Sequence, residues 1–248
     1  MHLSPAQSSS HQSAPAAVAA PAGPPLRPGP EDLAAVQRAI DRWRAEHAEA
    51  RLRALILGAT PELNALDWHC TPAVVPQAVW RDIPLPSASI DIAVCDGGLQ
   101  RLPYPDGPRK MLESLHGVLA PDGLAVFRLF APSPVAETPG DVFRALLDGR
   151  IPDPARLRLR LWSALQQDPA EGVSPAEARQ ALLDLADGDH AALAGQLDAD
   201  RNDRSRHYLI TPGEAVQLFT AAGFRRLSTI VPTYALGRQC PTLVFARH

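Results

Sequence analysis

The sequence predicts an α/β fold built on a mostly parallel sheet, and three observations carry that reading. First, Arg53–Gly58 (RALILG), Ile90–Asp96 (IDIAVCD) and Leu124–Phe130 (LAVFRLF) are short apolar runs of the kind that form strands covered on both faces. Second, helical patterns alternate with them. Leu33, Val36, Ile40 and Trp43 precede the first run, with acids early and arginines late as the helix dipole prefers. Met111, Leu112, Leu115, Val118 and Leu119 mark one helix face between the second and third, stopped by the turn signal Pro121-Asp122-Gly123. Third, the chain closes with a capping box, Thr211-Pro212-Gly213-Glu214, and a helix ended by Gly223. Two strand-like segments follow, Leu227–Val231 and Thr242–Ala246, around a loop containing Tyr234, and they predict a terminal strand pair.

At about 150 residues per domain, 248 residues give one to two domains. Residues 1–30 are Ala-, Pro- and Ser-rich with almost no large apolar side chain, which predicts a disordered tail ahead of one domain over 31–248. The stretch lacks the basic and apolar regions of a signal peptide. Between Phe130 and Thr211 the chain is too long for a plain connection, so a helical insertion is expected at about 132–206. Val142–Leu147 and Leu157–Leu165 are amphipathic, and Ser174-Pro175-Ala176-Glu177 is a second capping box. Two to four helices over the carboxyl edge of the strands would cap the place where ligands bind open α/β sheets. Arg156, Arg158 and Arg160 read as a solvated face of this insertion.

Composition narrows the function classes. With 24 basic and 27 acidic residues the net charge is −3, which argues against nucleic-acid and acidic-membrane partners. Lys110 is the sole lysine, so no Gly-Lys-Ser/Thr phosphate loop exists. Cys70, Cys95 and Cys240 are widely spaced and form no CxxC pair, which predicts neither disulfides nor structural zinc and fits a reducing cytoplasm. No apolar run reaches the roughly 18 residues of a membrane span. Asp67-Trp68-His69-Cys70 lacks a partner pair for a metal, and Asp198–Asp203 lacks the glycine and glutamate of a calcium loop.

Four segments in order, Leu55–Leu63 (LILGATPEL), Trp80–Pro86 (WRDIPLP), Ile90–Gly98 (IDIAVCDGG) and Val118–Phe130, make the chain resemble class I S-adenosylmethionine-dependent methyltransferases. The likeness covers about residues 50–130 and 207–248 and is closest to a bacterial subgroup with an LG-x-TPEL first motif. It implies a Rossmann-like sheet with an antiparallel last strand, and S-adenosylmethionine as cofactor. By that resemblance Gly58, Ala59, Thr60 and Glu62 would face the methionine part, Asp96 and Gly97 would line the same pocket, and Asp82 and Ile83 would read the adenine. Independently of the family, Gly58 permits close backbone approach, and Thr60-Pro61 reads as an N-cap and first helical position with amides free to hold a carboxylate.

One departure is plain. No strand-then-acid pattern follows Gly58 at the roughly 20-residue distance where such folds hold a ribose, and the second strand–helix unit is shortened or collapsed into Ala73–Val79. Methyl transfer mainly needs alignment and exclusion of water. His207, Tyr208 and Tyr104 are the candidates for a base or substrate-pocket role, whereas His116 reads as packing. The expected function is methyl transfer to a small-molecule acceptor. One alternative is a cofactor-free, methyltransferase-like binding or scaffold subunit; another is that the shortened 64–80 region needs a homo-oligomer or partner chain to cover the exposed sheet edge.

Overall fold

The computed structural model describes residues 23–186 and 190–248. Pro30–Glu46 forms α1, opened by Asp32 accepting from the Gly29 amide at 2.8 Å. Its face of Val36, Ala39, Ile40 and Trp43 packs on the sheet beneath it. Strand β1 (Ala54–Leu57), the single turn α2 (Pro61–Asn64) and the three-residue β2 (Ala73–Val75) follow. Then come β3 (Ile90–Asp96), α3 (Asp106–Val118) and β4 (Leu119–Arg128). The expected turn at Pro121–Gly123 lies inside β4, where Asp122 adopts φ 60° and the β3/β4 register jumps between Ile90/Leu119 and Ile92/Leu124. The extra residues bulge out, and pairing resumes with apolar alternation intact.

The insertion supplies α4 (Pro139–Leu147), α5 (Pro154–Leu165), α6 (Pro175–Leu185) and the short α7 (Ala191–Ala194). Thr138, Asp153 and Ser174 cap the first three by accepting from the amide three residues on, each such cap worth about 1 kcal/mol. Helix α8 (Pro212–Ala221), capped by Thr211, leads into the hairpin of β5 (Phe224–Ile230) and β6 (Thr242–Arg247). Among the described residues the sheet has six strands in the order β2-β1-β3-β4-β6-β5, parallel through β4 and antiparallel beyond it. This is the Rossmann-like arrangement with a contracted β2 flank. No helix among the described residues is long and apolar enough to cross a membrane.

Two findings concern the tail and the insertion. Of the tail expected over 1–30, residues 1–22 lie outside the described part, and from Pro24 onward the chain packs against the body. Arg156, Arg158 and Arg160 are not solvated: they pair with Asp153, Asp200 and Glu137, while Leu157, Leu159 and Leu161 between them are fully buried. The insertion's apolar core continues to Phe130, just past β4, and to Cys240, so it sits at the carboxyl end of the sheet.

Candidate functional site

The chain leaves β1 for β2 on one side and continues to β3 on the other, so the carboxyl ends of β1 and β3 form a topological switch point, the usual ligand crevice of an open α/β sheet. Gly58 ends β1 with φ +77°, a conformation that suits glycine. Across from it, Asp96-Gly97-Gly98 ends β3, with Gly97 at φ +59°. The indole of Trp80 joins the two loops. It would meet a Cβ on Gly58 at 3.2 Å and one on Gly98 at 2.6 Å, and its Nε1 donates to the Val75 carbonyl at 2.9 Å.

The crevice is closed by the chain itself. Arg128, at the end of β4, donates from Nε to Asp96 at 2.5 Å and from Nη1 to the Pro25 carbonyl at 2.7 Å. Both side chains of this ion pair are at most 6% exposed. Burial opposes the guanidinium charge, and Asp96 more than offsets it, so the Arg128 pKa is held above its ordinary value. Tyr234 donates to Asp32 at 2.9 Å, and burial raises the pKa of both groups. Cys240 lies against Pro25 (Sγ to carbonyl oxygen 3.8 Å), and burial pushes its thiol up to about 12. Arg27 covers α2 with bonds of 2.6–3.2 Å to Glu62. Burial alone would raise the Glu62 carboxyl, but Arg27 and the local amide outweigh it and the net shift is downward.

What remains is a cavity of about 10 Å³ lined by Asp32, Asp96, Arg128, Thr242 and apolar neighbours. That is the scale of one water molecule. Arg128 Nη2 and Thr242 Oγ1 are buried there without a hydrogen-bond partner, so the cavity is polar enough to hold one. Drug-sized ligands occupy roughly 300–1,000 Å³. That small cavity lies under α1, and its lining does not include the Gly58–Glu62 turn or the Gly97-Gly98 loop.

The expected cofactor residues divide accordingly. Gly58, Thr60, Glu62, Asp96 and Gly97 do stand around the crevice, though Glu62 and Asp96 are engaged by arginines and Thr60 accepts from the Leu63 amide at 3.3 Å. Ala59 is exposed beside them. Asp82 and Ile83 fall elsewhere. They follow the contracted β2 unit; Asp82 is exposed and Ile83 is buried in the core, its amide donating to Ser114 at 2.8 Å. Past β2 stand Pro76 and Gln77, and Gln77 exchanges hydrogen bonds with Arg101, so the shortened flank offers no carboxylate for a ribose.

His207 is stacked on Trp162 with ring centroids 4.1 Å apart. Its pKa is lowered to about 4, first by burial and then by Arg101. The Tyr208 amide donates to Gln100 at 2.7 Å, which joins this segment to the loop after β3. Tyr104 is half-buried against the sheet core, and His116 packs edge-on against Phe224. Among the described residues no group of three or more metal-ligating side chains could hold an ion. Asp198 and Asp200 instead face Arg179 and Arg158.

Sequence reasoning missed Arg27, Asp32, Arg128, Tyr234 and Trp80. One signal was available: Arg128 is the lone charge inside the apolar run LAVFRLF, and a buried charge requires a partner.

No family model matches this sequence, and no curated protein matches it. Among solved structures the chain is similar to the CurJ carbon methyltransferase at TM-score 0.46 and 13% identity, over 87% of this chain and 53% of that one. It is also similar to a SAM-dependent methyltransferase from Methanosarcina mazei at TM-score 0.45 and 13% identity, over 82% and 96%. LepI in complex with SAM matches at TM-score 0.39 and 12% identity, over 86% and 40%. The chain thus spans 40–53% of the length of the first structures it matches.

Proposed function

We propose that this chain transfers methyl groups from S-adenosylmethionine to a small-molecule acceptor, through the crevice at the switch point of its sheet. The observation that carries the reading is the juxtaposition of the Gly58–Glu62 turn with the Asp96-Gly97-Gly98 loop at the adjoining ends of β1 and β3. These are two of the four segments on which the sequence resemblance rests, and a Rossmann-like sheet places ligands there. The carboxylates of Glu62 and Asp96 suit a positively charged ligand, since each already holds a cation of the chain's own. Acceptor specificity falls to the insertion and to the segment carrying His207 and Tyr208, tied to the crevice loop through Gln100. With its pKa lowered to about 4, His207 is a weak base at neutral pH, and its ring stacked on Trp162 anchors this segment instead.

A second reading starts from the occupation of Glu62 and Asp96 by arginines of the chain itself. Under it the chain is a cofactor-free binding or scaffold subunit. Titration calorimetry with S-adenosylmethionine and S-adenosylhomocysteine, followed by transfer of a labelled methyl group to a panel of hydroxyl, amine and carbon acceptors, separates the two. Heat of binding and labelled product are expected; no heat and no thermal shift at millimolar ligand would leave only the scaffold reading.

A further inference from the structure

The contacts that close the crevice are unusual in their origin. Arg27 reaches Glu62 across 35 positions in sequence, and the Pro25 carbonyl meets Arg128 across 103. The connecting stretch, Pro24–Gly29, belongs to no helix or strand, and nothing but its own hydrogen bonds and packing holds it in place. Leu26 rests on the insertion core, Pro28 lines the residual cavity, and Gly29 is fixed by Asp32 at the start of α1. The Arg27–Glu62 pair is partly open to solvent, with side chains 30% and 28% exposed. An ion pair in that setting contributes modestly and can be exchanged for another.

We infer that residues 24–29 are a displaceable strap: Arg27 occupies, as an internal cation on Glu62, the place a ligand's ammonium group takes when the crevice opens. The inference rests on the reading of the crevice as a ligand site. The strap and the ligand then compete for one carboxylate, and the apparent affinity for ligand is reduced by the fraction of molecules in which the strap is seated. The chain thereby carries an autoinhibitory contact with its hinge at Gly29-Pro30, where α1 begins.

Cys240 provides a reporter that needs no ligand, because its thiol is fully buried beneath Pro25, while Cys70 is half-buried elsewhere. The full chain and its Arg27→Ala and Arg27→Lys variants are treated with a maleimide, and modification of each cysteine is followed by peptide mass spectrometry. Urea unfolding in parallel verifies equal global stability. Removing the guanidinium is expected to speed Cys240 modification about fivefold, the scale of one partly exposed ion pair, with the lysine variant between and Cys70 unchanged. S-adenosylhomocysteine is expected to bind Arg27→Ala more tightly by a similar factor. Equal Cys240 rates in the wild type and Arg27→Ala would overturn the strap. Faster Cys240 modification with no binding of S-adenosylhomocysteine by either protein would leave the strap standing and remove the methyl-donor reading.

Discussion

The crevice and the insertion both bring arginines to carboxylates, in opposite settings. In the crevice Arg128 and Asp96 are sealed from water beneath the strap, and both line the residual cavity. In the insertion Arg179–Asp198 and Arg160–Glu137 stand at the rim of an apolar core made by Leu157, Leu161 and Leu182. Desolvating two charges costs as much as their attraction returns, so a sealed pair is weak evidence for stability as its purpose. Rim pairs cost little and contribute little. The contrast teaches that apolar packing holds the insertion together, while the crevice keeps charge inside the molecule at a place where a ligand would use it.

Breaking the sealed pair should separate the two regions most sharply. Arg128→Ala leaves Asp96 buried without a partner and is expected to cost about 3–5 kcal/mol in urea unfolding. A loss below about 1 kcal/mol would mean that water already reaches the pair. Next comes the insertion's apolar core. Leu157 is fully buried, so Leu157→Ala should cost about 3 kcal/mol by the same assay.

A third effect is a pH dependence. The folded His207 has its pKa lowered to about 4 from 6.5, so between those values the unfolded chain takes up a proton that the folded chain refuses. Stability therefore falls as pH drops through this window, by up to about 3 kcal/mol, and this contribution levels off below the folded value. His207→Phe keeps a ring against Trp162 and should remove that slope; an unchanged slope would assign it to other groups. The smallest effect is expected at the insertion rim. Arg179→Ala should shift stability by no more than about 1 kcal/mol, and a larger loss would break the contrast between rim and crevice.

The sheet was legible because its code is local. IDIAVCD is buried at nearly every position, and the Thr211 and Ser174 caps form the bonds that their sequences encode. The contraction after Gly58 was legible too, as a chain too short for a full strand–helix unit, and it appears as the single turn α2 and the three-residue β2. The crevice was half legible. Gly58 and Asp96-Gly97 stand at the switch point because they end the strands on either side of it. Asp82 and Ile83 follow the contracted unit, one exposed and one in the core beside Trp80, and their part in a site was not legible from spacing alone. The strap was illegible for a physical reason: Pro24–Gly29 has neither periodicity nor apolar mass, and its order comes from partners on β4, α2 and the β5–β6 loop, 35 to more than 200 residues away. Arg156, Arg158 and Arg160 misled in the same way, since their carboxylates lie on other elements or at the helix cap.

Hydrogen exchange of the full chain, with and without saturating S-adenosylhomocysteine, tests the ligand crevice most directly. Slower exchange is predicted in peptides spanning Gly58–Leu63 and Asp96–Gln100, together with faster exchange at the Gly29 amide, which donates to Asp32. Protection confined to other parts of the molecule, or a strap that stays equally protected when the ligand is bound, would contradict it.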